Sequence, residues 1–375
     1  MPAALSEAGP GAWICCLAAA LALAGLGQAV AGLIALHRFA TEPRPAPARR
    51  PGVTVLKPLH GSEPLLDQAL ATMCRQDYPC FQVVFGVHGA ADPALAAVAA
   101  VRAAHPAADC ALVVNPAMHG RNGKVSNLIN MLPAARHDIL VIADSDVHAP
   151  PDWLERVVAT LETPGVGLAC TPYVGLAGVA GMVARLGALQ ISHVFLPGAL
   201  LGRWLGREDC LGATMALRRE TLARAGGFEA LRDHLADDAV LGHRVAALGL
   251  HVALAPCLPA TTVPETTLGA LWRHELRWAR TVRLLEPAGH AASVVQYPLA
   301  WSLLAALGWG AAGHAGAAAL GFFAAWALRG LLARQAHATL RGAGADSTPP
   351  SLLLLPLRDL LSLAVVAASF VGQRV

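Results

Sequence analysis

Two carboxylates one residue apart, Asp144 and Asp146, close the apolar run Ile139-Leu140-Val141-Ile142-Ala143. A run this short and rich in β-branched residues predicts a strand buried on both faces. In open α/β sheets, ligands bind beyond the carboxyl ends of strands. Hard cations such as Mg²⁺ take one or two carboxylates and complete their shell with substrate phosphates. The pair therefore points to a metal–diphosphate site of the kind that handles nucleotide-activated sugars. A polar turn that merely ends a strand is the plain alternative. A second acidic pair, Asp237-Asp238, precedes a helical pattern over 239–248. It reads either as a helix cap or as a general base that takes a proton from an acceptor hydroxyl.

Cationic groups complete the inventory. Gly120-Arg121-Asn122-Gly123-Lys124 is not a P-loop, because Met118 and Val125 break the GxxxxGK[ST] spacing. A glycine turn feeding a helix with a lysine can still hold an anion, and a surface turn is the other reading. His274-Glu275-Leu276-Arg277-Trp278-Ala279-Arg280, followed by Arg283, suits either interfacial anchoring or a diphosphate clamp.

The elements that must position these groups are legible as alternating runs. Strands are predicted from Val53, over 81–87, over 110–114 and over 139–143, with further strands at 167–171 and 211–217. Alanine-rich helical patterns fill the gaps at 65–74, 93–104 and 125–135. The alternation predicts an α/β fold with a parallel sheet covered by helices on both faces.

Composition sets the surroundings. The 375 residues are 55% hydrophobic and 14% charged, with a net charge of +3. That is too apolar for an average soluble domain, and the charge is too small to argue for nucleic acid. The eight cysteines form no CxxC pair and read as buried free thiols of a reducing compartment. Residues 12–36 carry no charge and are long enough to span a bilayer. His37, Arg38, Arg44, Arg49 and Arg50 follow, which places the N-terminus outside and the next domain on the cytoplasmic side. Residues 291–328 fit two tight spans broken near Gly310 and Gly313, 329–350 a cytoplasmic loop, and 351–371 a further span or an interfacial helix containing Arg358-Asp359. The apolar stretch 178–205 reads equally as a membrane-surface segment and as a buried helix pair. The expected division is an anchor at 1–40, a linker at 41–52, a catalytic domain at 53–285 and a membrane region at 286–375.

Over 51–283 the order of short motifs resembles the inverting nucleotide-sugar glycosyltransferases of GT-A fold, and within them the ceramide glucosyltransferase family. The likeness runs through Lys57-Pro58-Leu59, Asp77-Tyr78-Pro79, Asp92-Pro93, Lys124-x-x-Asn127-Leu128, Asp144-Ser145 and Pro172-Tyr173. It continues through Ser192-His193, Gly212-x-x-x-Ala216-Leu217-Arg218, Asp237-Asp238 and Arg277-Trp278. A finer likeness is to the hopanoid-biosynthesis branch, which implies a UDP-N-acetylglucosamine donor and bacteriohopanetetrol as acceptor. The alternative is UDP-glucose and ceramide. The hopanoid likeness implies a bacterial inner-membrane enzyme, with its catalytic domain in the cytoplasm as the arginines after residue 36 suggest.

The resemblance implies roles for single residues. Asp92 is the first family acid, near the nucleotide; Asp144 and Asp146 bind Mg²⁺ or Mn²⁺; Asp238 is the base. Lys124, Asn127, Asp144, Arg277 and Trp278 contact the donor. Asp237 and His193 lie on the acceptor side, although a lone histidine beside an apolar face is more often structural. His274 departs from the Gln or Arg that opens the family's last motif, and Asp237 replaces a Glu. The implied reaction is a single inverting displacement at the anomeric carbon. A processive polysaccharide synthase, a polyprenyl-phosphate sugar transferase and an inactive lipid-binding membrane protein stand as competing readings.

Overall fold

The computed structural model describes residues 10–44 and 46–372. Helix α1 (Pro10–Ala40) leads into an alternating run of β1 (Val53–Pro58), α2 (Leu66–Cys74), β2 (Phe81–Val87), α3 (Ala94–Ala104), β3 (Cys110–Val114), α4 (Gly123–Met131) and β4 (Ile139–Ala143). Next come β5 (Val147–His148), α5 (Trp153–Leu161), β6 (Val166–Cys170), β7 (Val174–Ala177), α6 (Met182–Gln190) and α7 (Leu196–Trp204). The domain closes with β8 (Thr214–Arg218), α8 (Arg219–Arg224), α9 (Asp237–Ala247), β9 (His251–Leu254), β10 (Ala260–Val263) and α10 (Leu268–Leu285). After it come α11 (Pro287–Ala292), α12 (Pro298–Trp309), α13 (Ala315–Gly342) and α14 (Leu355–Ser369).

Alternation along each strand divides the core into two layers. Val53, Val55, Val83, Phe85, Ile139 and Val141 face α2, α3 and α5. Leu56, Val84, Leu140 and Ile142 face α4 and α9. This is the period-two signature of a sheet buried on both sides. The strand order is β3-β2-β1-β4-β8-β6-β9, with β5, β10 and β7 in a second small sheet.

The expected all-parallel sheet is corrected here. β1, β2, β3 and β4 run parallel, but β8 lies antiparallel to both β4 and β6. The chain makes a long excursion between β4 and β8, so no single crossover imposes its direction. β8 also begins at Thr214 rather than Leu211.

The described residues contain four helical stretches long and apolar enough to cross a membrane: 11–40, 182–204, 298–342 and 352–369. α6 and α7 are one continuous rod, joined by a π-helical turn at Ile191–Phe195. α12 and α13 form a hairpin that packs on α1, turning where Gly313 takes a φ of 91°. The loop expected over 329–350 is instead helical through Gly342. Arg329 sits in that helix, 5% exposed, and donates to the His193 carbonyl at 2.8 Å. An arginine has good helix propensity, and one partnered by a carbonyl does not end a helix. The cysteines also need correction: Cys80 is exposed, and the half-buried Cys74 and Cys110 place their sulfurs 3.5 Å apart.

Candidate active site

β1 and β4 are neighbours, with β2 and β3 beyond β1 on one side and β8, β6 and β9 beyond β4 on the other. A crevice forms outside the carboxyl ends of such strands. The last residues of β1 and the turn after β4 supply its floor. Lys57, fully buried near the end of β1, donates to the carbonyls of Asp144 at 2.5 Å and Val147 at 3.1 Å. It thereby clamps the turn that carries the acids. The backbone N–H of Val147 closes that turn onto the Asp144 carbonyl at 3.2 Å.

Four elements then converge. Asn122 caps α4 by accepting from the Val125 N–H at 3.1 Å, which puts Lys124 in the first turn of the helix. The Lys124 ammonium lies 2.7 Å from Asp144 and 3.3 Å from Asp237. Asp238, beside Asp237 in the first turn of α9, is held by the Ala239 N–H at 2.8 Å. The Asp146 carboxylate accepts a hydrogen bond from the Thr261 hydroxyl of β10. Ser145 donates to Glu63 at 3.0 Å.

Electrostatics follow from this crowding. Asp146 is pushed up to about 6, by burial first and the Asp144 charge second. Asp238 is raised by burial and by Asp237, with Lys124 pulling the other way. Glu63 is raised by burial, against its Ser145 hydrogen bond. Burial draws Lys57 down to about 8, although Asp146, Asp144 and Glu63 oppose it. Lys124 is also desolvated, but Asp144, Asp237 and Asp238 outweigh that and hold it protonated. Tyr173 joins the site electrically: burial raises its phenol, and Asp238, Asp144 and Asp146 add to the shift.

Five carboxylates thus face two ammonium groups, a donor set with negative charge to spare. Among the described residues no group of three or more His, Cys, Asp and Glu is arranged as a self-sufficient metal cage. Mg²⁺ and Mn²⁺ do not need one when diphosphate oxygens fill the shell. Asp144 and Asp146, all-oxygen and adjacent, fit that role.

The other expected residues are placed differently. Asp92 accepts from the Gly61 and Ala94 N–H groups, both at 2.9 Å, so it secures the loop after β1 and the start of α3. Asn127 is 1% exposed and donates to the Gly86 carbonyl at 2.8 Å. Its amide nitrogen holds backbone, while its Oδ1 has no hydrogen-bond partner among the described residues. Arg277 and Trp278 are exposed on α10, and among the described residues Arg277 makes no ion pair with the acids. His274 pairs with Glu265 and meets the Trp278 ring edge-on at 4.6 Å. His193 is buried under Arg329, with neither ring nitrogen hydrogen-bonded among the described residues.

Sequence reasoning missed Lys57 and Glu63 as site residues. The signal for Lys57 was a lysine inside an otherwise apolar strand, since an unpaired charge there is too costly to keep. Glu63 carried no such signal.

Three comparisons bear on this geometry. The sequence model of Glycosyl transferase family 21 matches residues 17–375. Ceramide glucosyltransferase 1 of Caenorhabditis elegans is 23% identical over 251 residues, covering 67% of this chain and 54% of that protein. The ceramide glucosyltransferase of Komagataella phaffii is 33% identical over 121 residues, covering 31% and 24% of the respective chains. The chain thus spans about half the length of the first of these curated relatives. Among solved structures, the mannosyltransferase PcManGT from Pyrobaculum calidifontis, in complex with GDP-Man and Mn²⁺, superposes with a TM-score of 0.54. It is 23% identical, covers 96% of this chain and 98% of its own, and the likeness is one of fold.

Proposed function

The chain belongs to glycosyl transferase family 21, and on that premise we propose that it moves a sugar from a UDP-sugar to the hydroxyl of a membrane lipid, with inversion at the anomeric carbon. The observation that carries this reading is the bridge from Asp144 through Lys124 to Asp237, with Asp238 alongside. It joins a candidate diphosphate site to a candidate base across one crevice.

Lys124 places a fixed positive charge where the departing diphosphate gathers negative charge. Asp238, desolvated and flanked by Asp237, has the raised proton affinity that suits a base. It takes the acceptor proton as the hydroxyl attacks opposite the leaving group. Asp144 and Asp146 would hold a divalent cation, which would supply further neutralisation of the diphosphate. Lys57 keeps the turn in place by holding two of its carbonyls. Arg277 is proposed as a second diphosphate contact from α10.

For the acceptor, the relatives above support ceramide and UDP-glucose over the hopanoid and UDP-N-acetylglucosamine expected from sequence. The four apolar stretches make a lipid substrate reachable from the bilayer. Arg38 and the arginines that follow support a catalytic domain on the cytoplasmic side.

The test is glycolipid formation by purified protein in detergent. UDP-glucose, UDP-galactose and UDP-N-acetylglucosamine are each paired with ceramide and with bacteriohopanetetrol, with and without Mg²⁺ or Mn²⁺. Metal-dependent product on ceramide, absent in Asp238→Asn, supports the reading. Product on the hopanoid alone moves the acceptor and leaves the chemistry intact. Failure to release UDP with any pair sinks the transferase reading.

A further inference from the structure

The guanidinium of Arg358, in the first turn of the C-terminal apolar helix α14, is 1% exposed. It does not pair with its neighbour Asp359, which instead accepts from the Leu299 N–H at 2.9 Å. Arg358 grips Glu275 of α10 in a two-pronged fork, at 2.7 and 2.6 Å. Two further donors go to the Leu186 carbonyl of α6 at 3.2 Å and to Ser362 at 3.0 Å, and Ser362 reaches Gln190 of α6 at 2.9 Å. One side chain therefore ties together the apolar helix α6, the C-terminal helix α14 and α10.

That tie matters most for α10. Leu271 and Glu275 are the buried residues of this 18-residue helix. Leu271 meets α6 at Gly187, where an added Cβ would stand 3.2 Å from it. α10 is also tethered by the His274–Glu265 pair and by Arg280 and Arg283, which donate to the Val371 and Gly372 carbonyls at 2.9 and 3.2 Å, but Glu275 is the carboxylate by which its buried face is held, and it lies two residues from Arg277. Arg277 follows Glu275 by two positions, about 200° around the helix axis. When Glu275 is locked inward, Arg277 is turned outward, on the helix that begins just after the strand carrying Thr261.

We propose that Arg358 is a positioning residue: by holding Glu275 it fixes the rotation of α10, and through it the place from which Arg277 binds the donor diphosphate. The inference deepens the function proposed above and rests on it. Its physical basis is that a buried fork is directional, so a lysine or an apolar side chain cannot reproduce its geometry.

The experiment measures UDP affinity in the presence of Mn²⁺ for the full-length protein in detergent, per monodisperse folded molecule. The variants are Arg358→Lys, Arg358→Met, Glu275→Gln, Arg277→Ala and the double Arg358→Met/Arg277→Ala. Arg358→Lys keeps the charge, so it reports even if Arg358→Met does not fold. Arg358→Lys and Glu275→Gln are each expected to weaken UDP binding about tenfold, as is Arg277→Ala. The double variant should lose little more than Arg277→Ala alone, because residues that act through one another are not additive. Unchanged UDP affinity in the folded single variants overturns the proposal, as does full additivity in the double. Wild-type protein that binds no UDP with Mn²⁺ sinks the underlying function, and this inference with it, before any variant is compared.

Discussion

A Cβ at position 212 would stand 2.6 Å from a carboxylate oxygen of Asp238. The glycine ahead of β8 and the candidate base at the head of α9 are in mutual contact, and a Cβ at 212 fits only if the Asp238 side chain shifts. Gly212 does not take a positive φ, so its role is space rather than backbone freedom. Gly212→Ala should therefore fold, displace the Asp238 carboxylate and lower kcat about a hundredfold, the scale of a misplacement near 1 Å. Unaltered kcat in a folded Gly212→Ala enzyme would show that the carboxylate can move without cost.

The acid limb of the rate profile tests Asp238 directly. Burial and Asp237 raise its proton affinity. A base works only when deprotonated, so activity is full above its folded pKa and falls as pH drops through it. The fall should lie above the ordinary carboxylate range. Asp238→Asn should remove the limb together with activity, by about 10²–10⁴-fold. A limb that persists in the residual activity of Asp238→Asn would assign the titration to another group.

Among the described residues, Lys124 is the one ammonium that pairs with a member of both acidic pairs. Lys124→Met should slow UDP release about a hundredfold, as the loss of one preorganised donor to developing charge does. It also leaves the carboxylates repelling one another. Adding Asp144→Asn to Lys124→Met should therefore recover thermal stability relative to Lys124→Met alone, measured in the same detergent.

Chelation is expected to abolish transfer, and Mn²⁺ or Mg²⁺ to restore it. Asp144→Asn and Asp146→Asn should each raise the metal concentration needed for half-maximal rate, since each removes one of few protein oxygens. Full activity in excess chelator would remove the metal from the mechanism.

Asn127 separates a donor contact from a structural one. Its amide supports the Gly86 carbonyl from a buried position. Asn127→Ala should cost about 1 kcal/mol of stability by removing that hydrogen bond, since the Gly86 carbonyl still accepts from the Leu59 N–H at 2.8 Å. The donor KM of the folded fraction should stay within about twofold, against the role that family resemblance implied.

Much of this arrangement was legible along the chain. The strands over 81–87, 110–114 and 139–143 lie where the apolar runs placed them, because a short β-branched run bounded by turns has few other ways to be buried. The acids at the end of β4 and of the loop into α9 were readable for the same reason. The start of α4 was missed by two residues, since the deciding signal was the Asn122 cap rather than the apolar pattern. That small difference is what puts Lys124 on a helix.

By itself, the sequence determined the layered α/β domain, the apolar helices at both ends, and the positions of Asp144, Asp146, Asp237 and Asp238. These depend on periodicity and on residue type, which act over a few residues of chain. Tertiary structure alone decided the partners. Lys124 reaches across to Asp237, Lys57 takes the turn carbonyls, Arg358 passes over Asp359 for Glu275, and β8 runs against its neighbours. A buried charge must be matched within hydrogen-bond distance wherever the match lies. Which group lies that close is a property of packed elements and leaves no trace in local spacing.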